Sequence, residues 1–289
     1  MNVLRITGGL CVLFAALLCA SARADGVDAA APFKLLSGQW QQGSLLRAQT
    51  DPAAQVWFDG RKLRLDAHGE FVFGLDRDAA PEAELKVQLP GADAPQVLHY
   101  QVAKREYRIA RINGLPPKMV TPPAALTARI ENDQREAREA RDHDSDLEGF
   151  TQSFIWPVEG RISGVFGSQR ILDGQPRQPH YGVDVAVPIG TPVRAPADGV
   201  VTLAAKDMYY TGGTLMVDHG HGVASTFLHL SKLRVKLGDV VKQGQIIADS
   251  GMSGRATGPH LDWRVSWFQS RVDAQLLVPP MPVPAAKKH

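Results

Sequence analysis

His180-Tyr181-Gly182-Val183-Asp184 is the stretch on which the chain turns, and two later segments answer it: Phe227-Leu228-His229-Leu230 and Gly258-Pro259-His260-Leu261-Asp262-Trp263. Val183, Val185 and Val187 alternate with other residues, the pattern of a half-buried strand. Side chains in a strand alternate faces, so His180, Gly182 and Asp184 share the face opposite the valines. The same rule puts His260 and Asp262 on one face, with Leu261 and Trp263 on the other. It points Phe227, His229 and Ser231 one way and turns Leu228 and Leu230 to the core. If the three polar faces converge, they offer imidazoles and carboxylates, the ligands of a catalytic zinc that keeps an open position.

Outward from these segments, the second half of the chain is punctuated by Gly, Pro and Val and reads as an antiparallel β-rich fold with almost no helix. It opens at Ile155-Trp156-Pro157-Val158 and Arg161-Ile162-Ser163. Residues Arg170 to Pro179 form a polar loop before His180, suited to lining a groove. A second H-x-H, His219 and His221, sits between glycines in Asp218-His219-Gly220-His221-Gly222, the signature of a hairpin turn rather than of a metal site.

Upstream, Pro116-Pro117 and Pro122-Pro123 interrupt regular structure. From Ala124 to Leu147 the chain is rich in Glu, Arg and Ala. The Glu131/Arg135 and Arg135/Glu139 spacings support an exposed helix, which Gly149 is expected to end.

The first part, from about Pro32 to Arg111, reads as all-β. Val56-Trp57-Phe58 and Leu63-Arg64-Leu65 flank an Asp59-Gly60 turn. His68-Gly69 turns into Phe71-Val72-Phe73, and Leu85–Leu89 pairs in pattern with Val97–Val102. Short, regularly spaced strands suggest a small, immunoglobulin-like β-sandwich. It holds no cluster of ligands or nucleophiles, and His68 and His99 read as structural.

The N-terminus has the form of an export signal: Arg5, an apolar run from Gly8 to Ala20, and Ala22-Arg23-Ala24 as a cleavage site. That run of about a dozen residues is too short for a membrane span. Both cysteines of the 289-residue chain, Cys11 and Cys19, lie in this segment, so cysteine-based catalysis is excluded for the processed protein. The formal charge of +2 is accounted for by Arg5 and Arg23. The remainder is near neutral, which argues against nucleic-acid binding.

From about Trp156 to Val278 the chain resembles the LytM/lysostaphin-type zinc metallopeptidases, peptidase family M23. His180 and Asp184 match its H-x-x-x-D motif, His229 its H-L, and Gly258-Pro259-His260 the start of its G-P-H-x-H. Supporting matches are Val165-Phe166-Gly167 and the Gly190-Thr191-Pro192-Val193 to Gly199-Val200-Val201 run. The resemblance implies a single Zn²⁺, or another divalent ion, held by His180, Asp184 and Asp262. It implies that His229 and His260 handle the proton and the oxyanion, in an order the sequence leaves open. It implies a periplasmic endopeptidase acting on the cross-linking peptides of peptidoglycan.

One residue departs from the motif. Asp262 stands where the family has a second histidine. A carboxylate can bind zinc, but two carboxylates offset the ion's charge entirely and favour oxygen-loving metals. Asp262 can instead pair with Arg264, two residues on and on the same face. The alternative function is then a catalytically degenerate LytM-type module that binds wall or activates a separate amidase. The glycine-punctuated strands also resemble lipoyl-type carrier modules, but the corresponding turn at His219 has no lysine to carry a cofactor.

The organisation expected is mostly β: a signal peptide at 1–24, a β-sandwich at 25–114, a Pro-rich linker and charged helix at 115–149, an M23 domain at 150–279 and a disordered tail at 280–289.

Overall fold

The computed structural model describes residues 31–112, 123–172 and 174–282. The expected signal peptide, most of the Pro-rich linker and all but the start of the tail lie outside these residues. The described chain is mostly β, as expected, with one α-helix.

In the first half, alternating apolar residues fold into β1 (Lys34–Ser37), β2 (Leu45–Gln49), β3 (Gln55–Phe58), β4 (Arg61–Lys62), β5 (Glu70–Gly74), β6 (Glu82–Gln88) and β7 (Gln96–Gln101). They make two antiparallel sheets, ordered β1-β2-β5 and β4-β3-β6-β7. In β6, Ala83, Leu85 and Val87 are buried while the residues between them are not, the period-2 pattern that fixes register. Phe58 from one sheet meets Phe73 from the other at 4.5 Å between ring centroids, so both sheets feed one core. The Asp59-Gly60 turn has φ of 44° and 83°, as a two-residue type I′ hairpin requires. The return strand begins directly at Arg61, two residues earlier than the apolar pattern suggested, because that turn leaves no room for a longer loop.

β8 (Ile109–Ile112) leaves this region, and α1 (Thr127–Glu139) follows. The helix stops ten residues short of Gly149. Gly149 belongs instead to a buried turn, where an added Cβ would lie 2.1 Å from the Asp198 carbonyl oxygen. Only Ile130 of α1 is buried. The helix nevertheless leans on the second half: Arg129 pairs with Asp207 at 2.8 Å, and the Tyr209 amide donates to Asp133 at 2.7 Å. Of the two i,i+4 pairs, Arg135–Glu139 is present at 3.7 Å, whereas Arg135 also donates to Asn132. Exposed pairs of this kind contribute about 0.3–0.5 kcal/mol, so the pairs within the helix add little to seating it.

The second half supplies β9 (Arg161–Gly164), β10 (Gln169–Leu172), β11 (Gln175–Pro176), β12 (Val183–Ala186), β13 (Pro192–Arg194), β14 (Gly199–Met208), β15 (Gly212–Gly220), β16 (Val223–Leu230), β17 (Lys232–Leu233), β18 (Val240–Val241), β19 (Ile246–Asp249), β20 (Leu261–Trp267) and β21 (Ser270–Val272). The main sheet runs β18-β14-β15-β16-β20-β12-β9, with β21 against β20, and β13-β19-β17 form a small second sheet. Its pairings are antiparallel. The exception among the ladders is β8, which runs parallel to β10 and lays the end of the first half beside the approach to His180.

The two halves share a seam. An added Cβ on Gly74 would lie 2.8 Å from Cβ of Trp267, and Phe58 meets Trp267 edge-on at 5.8 Å. The Arg61 guanidinium stacks 3.9 Å over Phe268, and Arg105 pairs with the buried Asp273 at 2.8 Å. Nε and Nη2 of the buried Arg77 donate to the Gly167 carbonyl at 2.9 and 2.7 Å.

The glycine-flanked His219 and His221 are at a hairpin turn between β15 and β16, with His221 and Gly222 at φ of 51° and 83°. His219 is fully buried. Its Nδ1–H donates to the Asp198 carbonyl at 2.7 Å and its Nε2 accepts from Ser225 at 2.9 Å. Burial pushes its pKa down from 6.5 to about 4. An unfolded chain therefore takes up a proton that the folded chain refuses. The stability is whole above pH 6.5 and is lost as pH falls from 6.5 to 4, by about 3 kcal/mol. Denaturant titrations at pH 7 and pH 4 should show that loss in the native chain and a smaller one in His219→Gln. Equal losses would remove His219 as the acid-sensitive group.

Candidate metal centre

β16, β20 and β12 lie side by side, and their register builds the site. Leu228, Asp262 and Asp184 form one row across the sheet; Phe227, Trp263 and Val183 form the adjacent row. The second row is fully buried core. The first faces the other way and sets Asp184 directly opposite Asp262. Like charges directly opposite are destabilising in a sheet, so this row calls for cations.

His180 is the first group there, its ring close to both carboxylates. It precedes β12, and its backbone is pinned to the loop before it, Gly167 N–H donating to its carbonyl at 2.7 Å and its own N–H donating to Ser168 at 2.9 Å. Its buried ring sets Nε2 3.0 Å from Asp184 Oδ1 and Nδ1 4.0 Å from Asp262 Oδ2. Arg264 is the second. It follows Asp262 on the same face of β20, and its Nε lies 3.0 and 3.1 Å from Oδ1 and Oδ2, its Nη2 2.6 Å from Oδ2. Burial would push the Asp262 carboxyl up, but the Arg264 guanidinium, with His180 beyond it, outweighs burial and holds it well below the ordinary carboxylate range.

Two glycines make room for the carboxylates. An added Cβ on Gly164 would lie 2.2 Å from Asp184 Oδ2, and one on Gly182 2.2 Å from Asp262 Oδ1 and 2.7 Å from Arg264 Cγ.

Two histidines flank this set, their ring centroids 4.8 Å apart. His229 Nδ1 donates to the Ser253 carbonyl and His260 Nδ1 to that of Gly258, both at 2.8 Å. A carbonyl only accepts, so each neutral ring carries its hydrogen on Nδ1 and keeps Nε2 as acceptor. His260 Nε2 lies 3.8 Å from Asp184 Oδ1. Burial lowers the pKa of His229, with smaller opposing pulls from Asp262 and the Ser253 carbonyl.

The family model for peptidase family M23 matches residues 178–274, the span that carries all five of these groups. A crystal structure from Pseudomonas aeruginosa assigned to peptidase M23 superposes with a TM-score of 0.65 at 30% identity, over 83% of this chain and 95% of that one. The chain belongs to peptidase family M23. Two curated relatives from Vibrio cholerae are named as peptidoglycan DD-endopeptidases. ShyA is 40% identical over 137 residues, which is 46% of this chain and 32% of ShyA. ShyB is 45% identical over 126 residues, 44% of this chain and 26% of ShyB. The chain thus spans about a third of the length of the first and about a quarter of the second.

This M23 site brings together every residue its motifs nominated. His180, Asp184 and Asp262 each offer a ligand atom within 4.8 Å of the others. His180 Nε2 and Asp184 Oδ1 are buried, 3.0 Å apart, and neither has a hydrogen-bond partner among the described residues. That separation approaches the edge of a zinc tetrahedron, roughly 3.3 Å for bonds of about 2.0 Å. Two buried polar atoms that converge without hydrogen-bonding geometry fit a shared cation, so the donor set suits a divalent metal.

The face alternation expected around His229 is corrected here. Phe227 faces the core, and Leu228 lies in the row with Asp262. His229 itself adopts φ of 61°, a left-handed residue that breaks the strand's period, so that His229 still reaches the site and Leu230 returns to the core. Pairing with Arg264 does not draw Asp262 away from His180 and Asp184: it makes the ion pair and still lies within 4.8 Å of their ligand atoms. Sequence reasoning missed Gly164 and Gly182 as carboxylate pockets. The signal for Gly182 was its position in the row of Arg264 and two residues before Asp184.

Proposed function

We propose that the chain is a metal-dependent endopeptidase that cleaves the cross-linking peptides of peptidoglycan in the cell envelope, after export directed by residues 1–24. The observation that carries this reading is the convergence of His180, Asp184 and Asp262 beside two histidines that hold their Nδ1–H groups on carbonyls. The relatives named as DD-endopeptidases supply the substrate class.

His180, Asp184 and Asp262 would hold one divalent ion, zinc by family. Bound there, the ion supplies Lewis acidity that activates water and polarises a peptide carbonyl. The chain's own groups do the rest. His229, kept neutral by burial, accepts the nucleophile's proton at Nε2. His260, its Nδ1–H held by the Gly258 carbonyl, donates a hydrogen bond to the oxygen of the attacked carbonyl from Nε2 in its protonated form. Ser253 and Gly258 fix the two rings in the orientation this needs.

The test is a digest of purified peptidoglycan with the exported form of the chain, with and without chelator and added zinc, read by mass spectrometry. New amine and carboxyl ends that require metal are expected, and their masses name the bond. No cleavage from a chain that carries no metal would overturn the proposal and favour a wall-binding or amidase-activating module.

A further inference from the structure

Asp262 lies where its motif places a second imidazole, and Arg264 makes that replacement electrically neutral. With His180 neutral, the charges of Asp184, Asp262 and Arg264 sum to −1, the same as one carboxylate and two neutral imidazoles. The guanidinium meets the carboxylate side-on with three contacts of 2.6–3.1 Å. A carboxylate offers about four lone-pair sites, so this fork occupies one edge and leaves others, with Oδ2 4.0 Å from His180 Nδ1.

The pair is a built feature. Asp262 is buried, and Arg264 is only a quarter exposed at its side chain. Gly182, the residue before β12, lies against Asp262 and Arg264, and any side chain there would strike both members of the pair. A surface ion pair would need no such vacancy.

We propose that Asp262 and Arg264 act as one neutral ligand unit, in which Arg264 is the positioning residue that fixes the Asp262 carboxylate for the metal. This rests on the metal centre proposed above. The planar fork, rather than the positive charge alone, is the working feature, because a bidentate guanidinium sets the plane of a carboxylate and an ammonium does not. Histidine at position 262 would carry its own orientation and have no use for the fork.

Zinc affinity tests this directly, measured on the full exported chain by competition with a chromophoric chelator, with circular dichroism on each variant to confirm folding. Arg264→Gln and Arg264→Lys are both expected to weaken zinc binding by about 10- to 100-fold, the usual effect of losing a residue that orients a ligand. In an Asp262→His background the Arg264→Gln change is expected to cost less than about threefold. Equal losses in both backgrounds would make Arg264 a general structural residue. Full retention by Arg264→Lys, or tighter binding by Arg264→Gln, would reduce its part to charge. Each of these outcomes overturns the inference while leaving the metal centre standing. No zinc binding by the native chain would overturn the metal centre itself, and the inference with it.

Discussion

His180→Ala is expected to abolish metal binding and, with it, cleavage. The substitution removes the single nitrogen donor among the three proposed ligands and leaves two carboxylates facing each other across β12 and β20. Removing one of three protein ligands from a site of this kind leaves too few bonds to offset desolvation of the ion. Bound zinc, measured by elemental analysis after dialysis, should fall from one per chain to background, and turnover of peptidoglycan by at least about a thousandfold. The fold should survive, because the bonds to Gly167 and Ser168 are made by the backbone of residue 180 and persist with alanine. An unchanged metal content in a folded His180→Ala protein would sink the assignment of the site.

Gly182→Ala is the second substitution of large effect, and its interest is that it replaces none of the proposed ligands. The backbone there does not require glycine: Gly182 is not among the residues with positive φ. The obstacle is space. The new Cβ would meet Asp262 Oδ1 at 2.2 Å, Arg264 Cγ at 2.7 Å and the Trp263 carbonyl oxygen at 2.8 Å. The carbonyl belongs to a ladder strand and cannot give way cheaply, so the side chains of Asp262 and Arg264 must move. Overpacking of this kind costs about 1–3 kcal/mol of stability. A carboxylate displaced by an ångström loses its place on the ion, so zinc affinity should fall by about a hundredfold. Thermal melts and zinc titrations on the same preparation separate the two effects. A variant with native zinc affinity would mean that the carboxylate at 262 is not a ligand.

Much of this could be read from the residues, and the places where reading failed share a cause. His180, Asp184, His229, His260 and Asp262 were nominated by motif and spacing, and all five meet. The valine alternation of β12 and the Asp59-Gly60 turn also held, because both depend on local geometry. The faces of Phe227 and Leu228 were misread because period-2 reasoning assumes an unbroken strand, and a left-handed residue at His229 cannot be seen in composition. The end of α1 was placed too late because Gly149 is a glycine for packing against Asp198, not for capping. Arg264 was visible as a partner for Asp262, but only as an alternative to metal binding. That the two are compatible depends on which edge of the carboxylate the guanidinium takes, and a sequence carries no angles.

The seam between the two halves bears on how such a protein can change. Gly74, Phe58 and Arg61 close over Trp267 and Phe268, at the end of the same strand that carries His260's neighbour Asp262. Arg77 grips the carbonyl of Gly167, whose amide in turn holds His180. The first half is therefore not cargo on a self-sufficient second half. Exchanging it for another module, or trimming the chain to residues 150 onward, strips an aromatic face bare and removes the Arg77 grip on the segment that holds His180 in a single cut. A different first half can be joined at that boundary only with the facing residues of both sides rewritten together.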